Sequence, residues 1–479
     1  MQQAQTTQLQ APPKLSEKIY FVYFFQEFAL GMITVLGVQF IAFFMTNVAF
    51  YGVVGGAAIA ATILTIGRFF DIFTVPVVGI IVERANLRWG KYRSWLYIFA
   101  PLTGLFALLQ YSDLGLAPIP TAIYMTVAYL LMFTAVNFCS TARMSLLPVL
   151  TKDPAERAKL SVRRGQGVAV GNIFRGFVTL PLVVFLGGGA AAHLGGRNSQ
   201  GFVLTALVYG AITVIGLYWL ASVSKPYDPS RAKGEAPKST GGKQATVGEM
   251  IRVVATNKPL LIFIVANLLT LTSTNILTGF NMFYFNYVVG NLAIFAIYLP
   301  LTFAGNFVGM TIAKPMLSKF KSVKKVYVIG MALYAAFMAL AFLSPAANPI
   351  PFTILVVVAM IGNGIGIGLV PMVFSDTADY GELKAGKSVR AAIMALVIFP
   401  IKLGVFIGGT IASWGLVGIG FVAGVQDPVV AQGIRVWITL PNAGFAVLAG
   451  LVMLAYPLTN EKVLDIQRQL KEKAQAQQG

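Results

Sequence analysis

One cysteine, one histidine and very little charge set the first limits. Cys139 alone excludes a disulfide framework or a cysteine metal site, and His193 alone leaves no histidine cluster or catalytic triad. With no nucleophile–base pair either, no enzyme and no cofactor are expected. Charged residues make up 11% of the 479, against about a quarter in a soluble chain. Too few remain to cover a water-facing surface, whereas 57% of the residues are hydrophobic and the mean hydropathy is +0.75. Lipid has to cover the rest. No cleavable signal peptide is expected, because residues 1–18 are polar and the first apolar run is long enough to span.

A membrane span needs about 20 apolar residues. Twelve runs qualify, near 19–47, 52–82, 95–112, 119–149, 165–189, 201–223, 260–289, 292–313, 325–344, 350–374, 391–419 and 434–457. The loops between them sort by charge. One set holds Arg84, Arg88, Lys91 and Arg93; Lys152, Arg157 and Lys159; Lys319, Lys321, Lys324 and Lys325; and Lys384, Lys387 and Arg390. The alternate loops carry almost none beyond Asp113, Arg197 and Asp427. Basic loops stay in the cytoplasm, so both termini are expected there, and the net charge of +19 reads as topology rather than nucleic-acid binding. The polar segment 224–258 splits the spans six and six. This predicts an N-terminal tail (1–18), two six-helix bundles (19–223 and 259–457), a central linker (224–258) and a solvated C-terminal tail (458–479). Such a division is what a transporter built of repeats shows.

An ionised side chain at mid-bilayer costs about 2.5–3.5 kcal/mol on insertion scales. Glu27 lies in span one, Arg68 and Asp71 on one face of span two, Arg175 in span five and Lys402 in span eleven. One central cavity neutralising them all would be a transport site; pairing of Arg68 with Asp71, or of Lys402 with a carboxylate, merely to hold helices together is the alternative. On span seven, Asn267, Thr270, Thr274, Thr278 and Asn281 recur every three or four residues, a polar stripe that either lines the cavity or bonds neighbouring helices. Gly362, Gly364, Gly366 and Gly368 lie inside span ten, where close packing or a hinge explains them better than a nucleotide loop. Trp89, Trp95, Trp219, Trp414 and Trp437, all near span ends or loops, read as interface anchors.

Four segments bear a family resemblance: FFQEFALG around Glu27; residues 68–95, with an R-x-x-D-x-x-x-x-P-x-x-G pattern and an R-W-G-K loop; SLLPVLTKDPAERAKL (145–160); and DTADYGELKAG (376–386) followed by Lys402. With these the chain resembles the glycoside–pentoside–hexuronide:cation symporters, relatives of melibiose permease in the major facilitator superfamily, over nearly its whole length. The resemblance implies the all-α major facilitator fold in a bacterial inner membrane. It puts Glu27 in the place of the family's substrate-binding acid and Lys402 in that of its span-eleven lysine, and it matches the span-five arginine to Arg163 or Arg164. Candidate substrate-binding residues are Glu27, Asn137, Ser140, Arg164, Arg175, Asn267, Thr274 and Lys402. Acids at one helix end facing a basic loop would give a breakable cytoplasmic gate, with Asp376, Asp379 and Glu382 against Arg84, Arg88 and Lys91.

The chain departs from the family at the cation site. Asp71 is present, but the second acid one turn on is replaced by Val75, and Thr74 stands where Asn is common. A hard cation wants several oxygens, preferably anionic. Asp71 and Thr74 make a poor sodium cage, so H+, carried by Asp71 or Glu27, is expected as the coupling ion in preference to Na+, or else no coupling. In span four, Asn137, Ser140, Arg143 and Met144 stand where sugar binders carry an acid and an aromatic, which weakens a galactoside assignment; Arg143, Arg163, Arg164, Arg175 and Lys402 suit an anionic sugar, unless the first three are simply interfacial. The expected function is symport of a sugar, glycoside or hexuronide by a monomer that needs no macromolecular partner beyond the bilayer. The alternatives are an amphipathic or lipid-like cargo and an uncoupled facilitator.

Overall fold

A computed structural model describes residues 15–476 apart from 86, 152, 189–198, 229–255, 347, 386–392 and 394–396. Most of the expected linker and N-terminal tail, with Lys152, His193, Arg197, Arg231, Lys233, Lys238, Lys243, Arg252, Lys387 and Arg390, lies outside the described residues.

Twelve helices are long and apolar enough to cross a membrane. They are α1 (Glu17–Ala49), α2 (Gly56–Arg84), α3 (Arg93–Tyr111), α4 (Pro118–Leu150), α5 (Pro154–Leu186), α6 (Gln200–Val223), α7 (Lys258–Val288), α8 (Phe295–Phe320), α9 (Val323–Phe342), α10 (Pro349–Ala385), α11 (Ile398–Gly418) and α12 (Pro428–Leu454). Local chemistry sets several starts. Asn257 and Asp427 accept hydrogen bonds from the backbone N–H groups of Leu260 and Val429 at 3.1 and 2.7 Å, satisfying donors that the first turn leaves open. Proline follows each cap at the first helical positions, where its missing N–H costs nothing.

The helices pack as two six-membered bundles. In the first, α3 lies on α4 and α6, α1 on α5 and α6, and α2 on α4; in the second, α10 lies on α8 and α9, and α12 and α11 flank α7. Because lipid offers no hydrophobic drive between helices, small residues set the close approaches. A Cβ on Gly364 would sit 2.1 Å from the Asn306 carbonyl oxygen, and one on Gly362 2.5 Å from that of Gly330. The span-ten glycines therefore seat α10 against α8 and α9. Between bundles, α2 meets α11 and α5 meets α8, with Gly176 of α5 packed on Pro300 of α8.

Helix ends depart from the apolar runs. α5 begins at 154 rather than 165, and α10 continues to 385 rather than 374, so Asp376, Asp379 and Glu382 ride on a helix. Hydropathy marks only the lipid-embedded length, whereas Ala, Glu, Lys, Arg and Leu prolong a helix into water. The C-terminal tail, expected to be solvated, forms α13 (Asn460–Ala476), which docks on α10 and buries Ile466. Two tryptophans are also corrected. Trp95 is buried and stacks on Phe138, and the Trp414 indole donates to Thr65 of the other bundle at 3.1 Å; both serve helix packing.

Candidate functional site

The ionisable groups gather into two clusters rather than one. The first lies between α1, α4 and α5. Gly167 lets α5 approach α1, since a Cβ there would lie 2.2 Å from the Phe24 carbonyl oxygen. This brings Arg164, one turn earlier on α5, to Glu27, with Nε donating to Oε1 at 2.6 Å. The Arg143 guanidinium contacts the same carboxylate oxygen and donates to Gln26 Oε1 at 3.1 Å. Arg175 lies over Gly31, one turn on from Glu27, where a Cβ would overlap its Nη1. Two guanidiniums thus share the Glu27 carboxylate, a third lies one turn along α1, and the region keeps a positive excess. Arg164 is the span-five arginine that reaches inward; Arg163 is exposed and bonds to Gln166 at 3.2 Å.

The second cluster bridges the bundles. Lys402 of α11 places Nζ 2.6 Å from Asp71 Oδ2 of α2. Asn137 of α4 donates through Nδ2 to Asp71 Oδ1 at 2.7 Å and to Thr74 Oγ1 at 2.8 Å, and its Oδ1 accepts from Lys402 at 3.2 Å. Gly404 and Gly408 let α11 pack tightly on α7 at Leu271 and Thr272, which fixes the stem that carries Lys402. Two expectations change. Asn137 and Lys402, read as substrate ligands, are both held at the Asp71 carboxylate, and Asp71 pairs with Lys402, the lysine–carboxylate pairing given as an alternative, rather than with Arg68 three residues away. Ser140 is half-buried one turn along α4 from Asn137.

A cavity between the bundles adjoins this cluster, lined by Arg68, Asp71, Tyr129, Asn275, Thr278 and Ser413 among others. The α7 stripe divides. Thr278 lines the cavity, but Thr270 bonds to the Tyr327 hydroxyl of α9 at 2.9 Å and Asn281 accepts from that of Tyr298 on α8 at 2.9 Å. Thr274 donates to its own helix at Leu271, and Asn267 is buried.

The two ends of the molecule differ. At the end away from the termini, the Tyr287 hydroxyl of α7 donates to Asn47 Oδ1 of α1 and accepts from the Gly424 N–H at 3.0 Å. Phe43 and Phe283 close over one another with ring centroids 5.6 Å apart. At the basic end, among the described residues, no ion pair or hydrogen bond joins Arg84, Arg88 or Lys91 to Asp376, Asp379 or Glu382. Instead Lys91 pairs with Glu83 at 2.6 Å within its own bundle, Asp379 accepts from Gln467 of α13 at 3.1 Å, and Arg84 and Arg88 are exposed. The expected gate pairs are not formed among the described residues, whereas the far end is held closed by the Tyr287–Asn47 and Phe43–Phe283 contacts.

Sequence reasoning missed several of these groups. Asp228 accepts the backbone N–H groups of Lys91, Tyr92 and Arg93 at 2.8–3.0 Å, anchoring the start of the linker to the N-terminus of α3. Asn47 and Tyr287 carry no charge and look like any polar residue near a span end. Arg143 was visible as a charge at the end of a span, but its partner was not.

Two bundles meeting around charged groups, with a seal at the end away from the termini, have the form of a carrier of the major facilitator class. The family model described as MFS/sugar transport protein matches residues 22–460, and the chain belongs to that family. It is therefore a multi-pass membrane transporter and not an enzyme. It is similar to the glucuronide carrier protein homolog of Escherichia coli K12, 26% identical over 92% of this chain and 93% of that one. It is also similar to the isoprimeverose transporter of Lactiplantibacillus pentosus, 25% identical over 91% and 88%. A solved D-xylose–proton symporter shares the fold, with TM-score 0.66 at 13% identity over 93% of this chain and 99% of that one.

Proposed function

We propose that the protein imports a sugar or glycoside across a bacterial inner membrane, coupled to protons at Asp71, and that the structure is its cytoplasm-open form. The orientation follows from the basic loops, which favour the cytoplasmic side and lie at the end opposite the Tyr287–Asn47 seal. The observation that carries the coupling is the Lys402–Asp71 pair. Asp71, Thr74 and Asn137 supply only three side chains with oxygen, one of them anionic, and an ammonium already stands 2.6 Å from the carboxylate. A sodium ion entering there would lack ligands and meet a like charge. A proton needs no cage. Protonating Asp71 removes its charge, releases Lys402 and breaks an ionic tie between α2 and α11, which belong to different bundles. Tie and release across that interface are what alternating access requires. Glu27, held between Arg143 and Arg164, faces the substrate as an acceptor for sugar hydroxyls. The names of the relatives, a glucuronide carrier homolog and an isoprimeverose transporter, support a glycosidic cargo.

The test is uptake of labelled sugars into membrane vesicles under an imposed pH gradient or an imposed sodium gradient. Accumulation driven by the pH gradient, and indifferent to sodium, is expected. A steep sodium requirement at constant pH refutes proton coupling, and equilibration without accumulation under either gradient indicates a facilitator.

A further inference from the structure

The helix α13 lies on the acids that were expected to close the basic end. Its Val463, Ile466 and Leu470 recur every three or four residues and so share one face. All three pack into the cluster that holds Phe374 and Ala378 of α10. Tyr456 and Leu458, which lead into α13, are buried in the same cluster. On the other face Leu464 is 66% exposed. Beside the Ile466 anchor, Gln467 donates through Nε2 to Asp379 Oδ2 at 3.1 Å. The two acids at this end of α10 are covered: Asp376 is 8% and Asp379 4% exposed. Arg84 and Arg88 of the other bundle, by contrast, are exposed. A guanidinium from that loop cannot reach a carboxylate so covered until the groups over it move. The carboxylate that the gate needs is the one to which α13 is bonded.

We propose that α13 is a built-in antagonist of the cytoplasmic gate. Docked, it occupies Asp379, keeps the acidic end of α10 from the basic loop of the first bundle, and so favours the form open to the cytoplasm. Undocked, it releases the acids to Arg84 and Arg88. Magnitudes allow this. A hydrogen bond to a charged group shifts an equilibrium about 10- to 100-fold, whereas an exposed ion pair shifts it at most about fivefold. Docking therefore outweighs any single gate pair, yet one short apolar stripe and one amide–carboxylate bond are few enough to exchange. The proposal rests on alternating access between the bundles and not on the cargo or the coupling ion.

Access is read on intact cells expressing the full-length chain, as the rate at which a membrane-impermeant maleimide labels Thr278→Cys, a position lining the cavity; the native Cys139 is buried. Docking is read separately, as the rate of tryptic cleavage at Arg468 and Lys471 of the purified protein in nanodiscs. Gln467→Glu sets like charges against each other, and Ile466→Asp puts a charge into the apolar seat. Both should speed cleavage and raise the labelling rate about tenfold. Gln467→Arg gives Asp379 an ionic partner on α13 and should lower the labelling rate about threefold or more. Leu464→Asp, on the exposed face, is the control and should change neither rate. Faster cleavage with labelling within about twofold of the parent, less than one hydrogen bond to a charge, makes α13 a structural brace and overturns the proposal. Slower labelling on undocking makes α13 part of the gate and overturns it too. Continued protection from trypsin in both undocking variants overturns the seat assigned to Ile466 and Gln467. A Thr278→Cys reporter that labels in no background counts against outward opening itself, and the proposal falls with that reading.

Discussion

Replacing Tyr287 by phenylalanine removes one oxygen from the seal at the closed end and leaves the ring, which packs edge-on to Phe421 at 4.9 Å, in place. That oxygen makes two hydrogen bonds between elements that must separate for the carrier to open outward, one to Asn47 of α1 and one from the Gly424 N–H. Each contributes about 1 kcal/mol net. In the outward-open form water takes over both partners, so the loss falls almost wholly on the closed state. About 2 kcal/mol corresponds to a roughly 30-fold shift toward outward-open, at 1.4 kcal/mol per tenfold. The native thiol Cys139 is buried, so a cysteine introduced at the cavity-lining Thr278 reports on access with little background. Treated on intact cells with a membrane-impermeant thiol reagent, Tyr287→Phe in the Thr278→Cys background should label about tenfold or more faster than Thr278→Cys alone, allowing for incomplete additivity. Asn47→Ala, which removes one of the two bonds, should fall between. A rate within about twofold of the parent would refute the seal, since even one net hydrogen bond predicts more.

Glu27→Gln and Lys402→Ala should each abolish saturable uptake while membrane expression persists; wild-type uptake in either variant removes that residue from the site. Lys402→Ala leaves Asp71 buried without its cation, so adding Asp71→Asn should restore thermal stability in detergent but not proton-driven accumulation. Gly364→Val would drive a side chain toward the Asn306 carbonyl, a backbone atom that cannot step aside. A destabilisation of about 3 kcal/mol is expected, read as a lower melting temperature of the purified protein. Gly444→Ala on α12, where nothing lies within 4 Å, is the control and should not destabilise.

The membrane-embedded part of this fold is legible because lipid imposes one rule on every span. The twelve apolar runs, the six-and-six division and the family motifs all lead to the observed bundles. Helix ends beyond the bilayer obey propensity instead, which is why residues 154–164 of α5 and the end of α10 past 374 fell outside the apolar runs, and why α13 left only a weak helical periodicity. Charged site residues were legible for a similar reason: Glu27, Asp71, Arg175 and Lys402 stand out because a mid-membrane charge is costly wherever it falls. Their partners were not. Spacing along α2 suggests Arg68 for Asp71, yet three residues on one helix bring two side chains only to the same face, and a lysine 331 positions away takes the carboxylate.

Neutral groups leave no such trace, and the consequence for function is specific. Asn47, Tyr287 and Gly424 form the seal from a side-chain amide, a phenol and a backbone N–H, which no pattern of charge or hydropathy separates from ordinary span ends. The basic-end gate was read from charges, and its expected pairs are not formed among the described residues; the far seal carries no charge and is formed. Exposed ion pairs are individually weak and tunable, whereas a dry aromatic seal with satisfied hydrogen bonds has little solvent to compete with it until it parts. A carrier built in this way would hold its outer door by packing and its inner door by charge. Under the proton coupling proposed above, the Asp71–Lys402 tie between α2 and α11 would be the element through which a proton alters the balance between them.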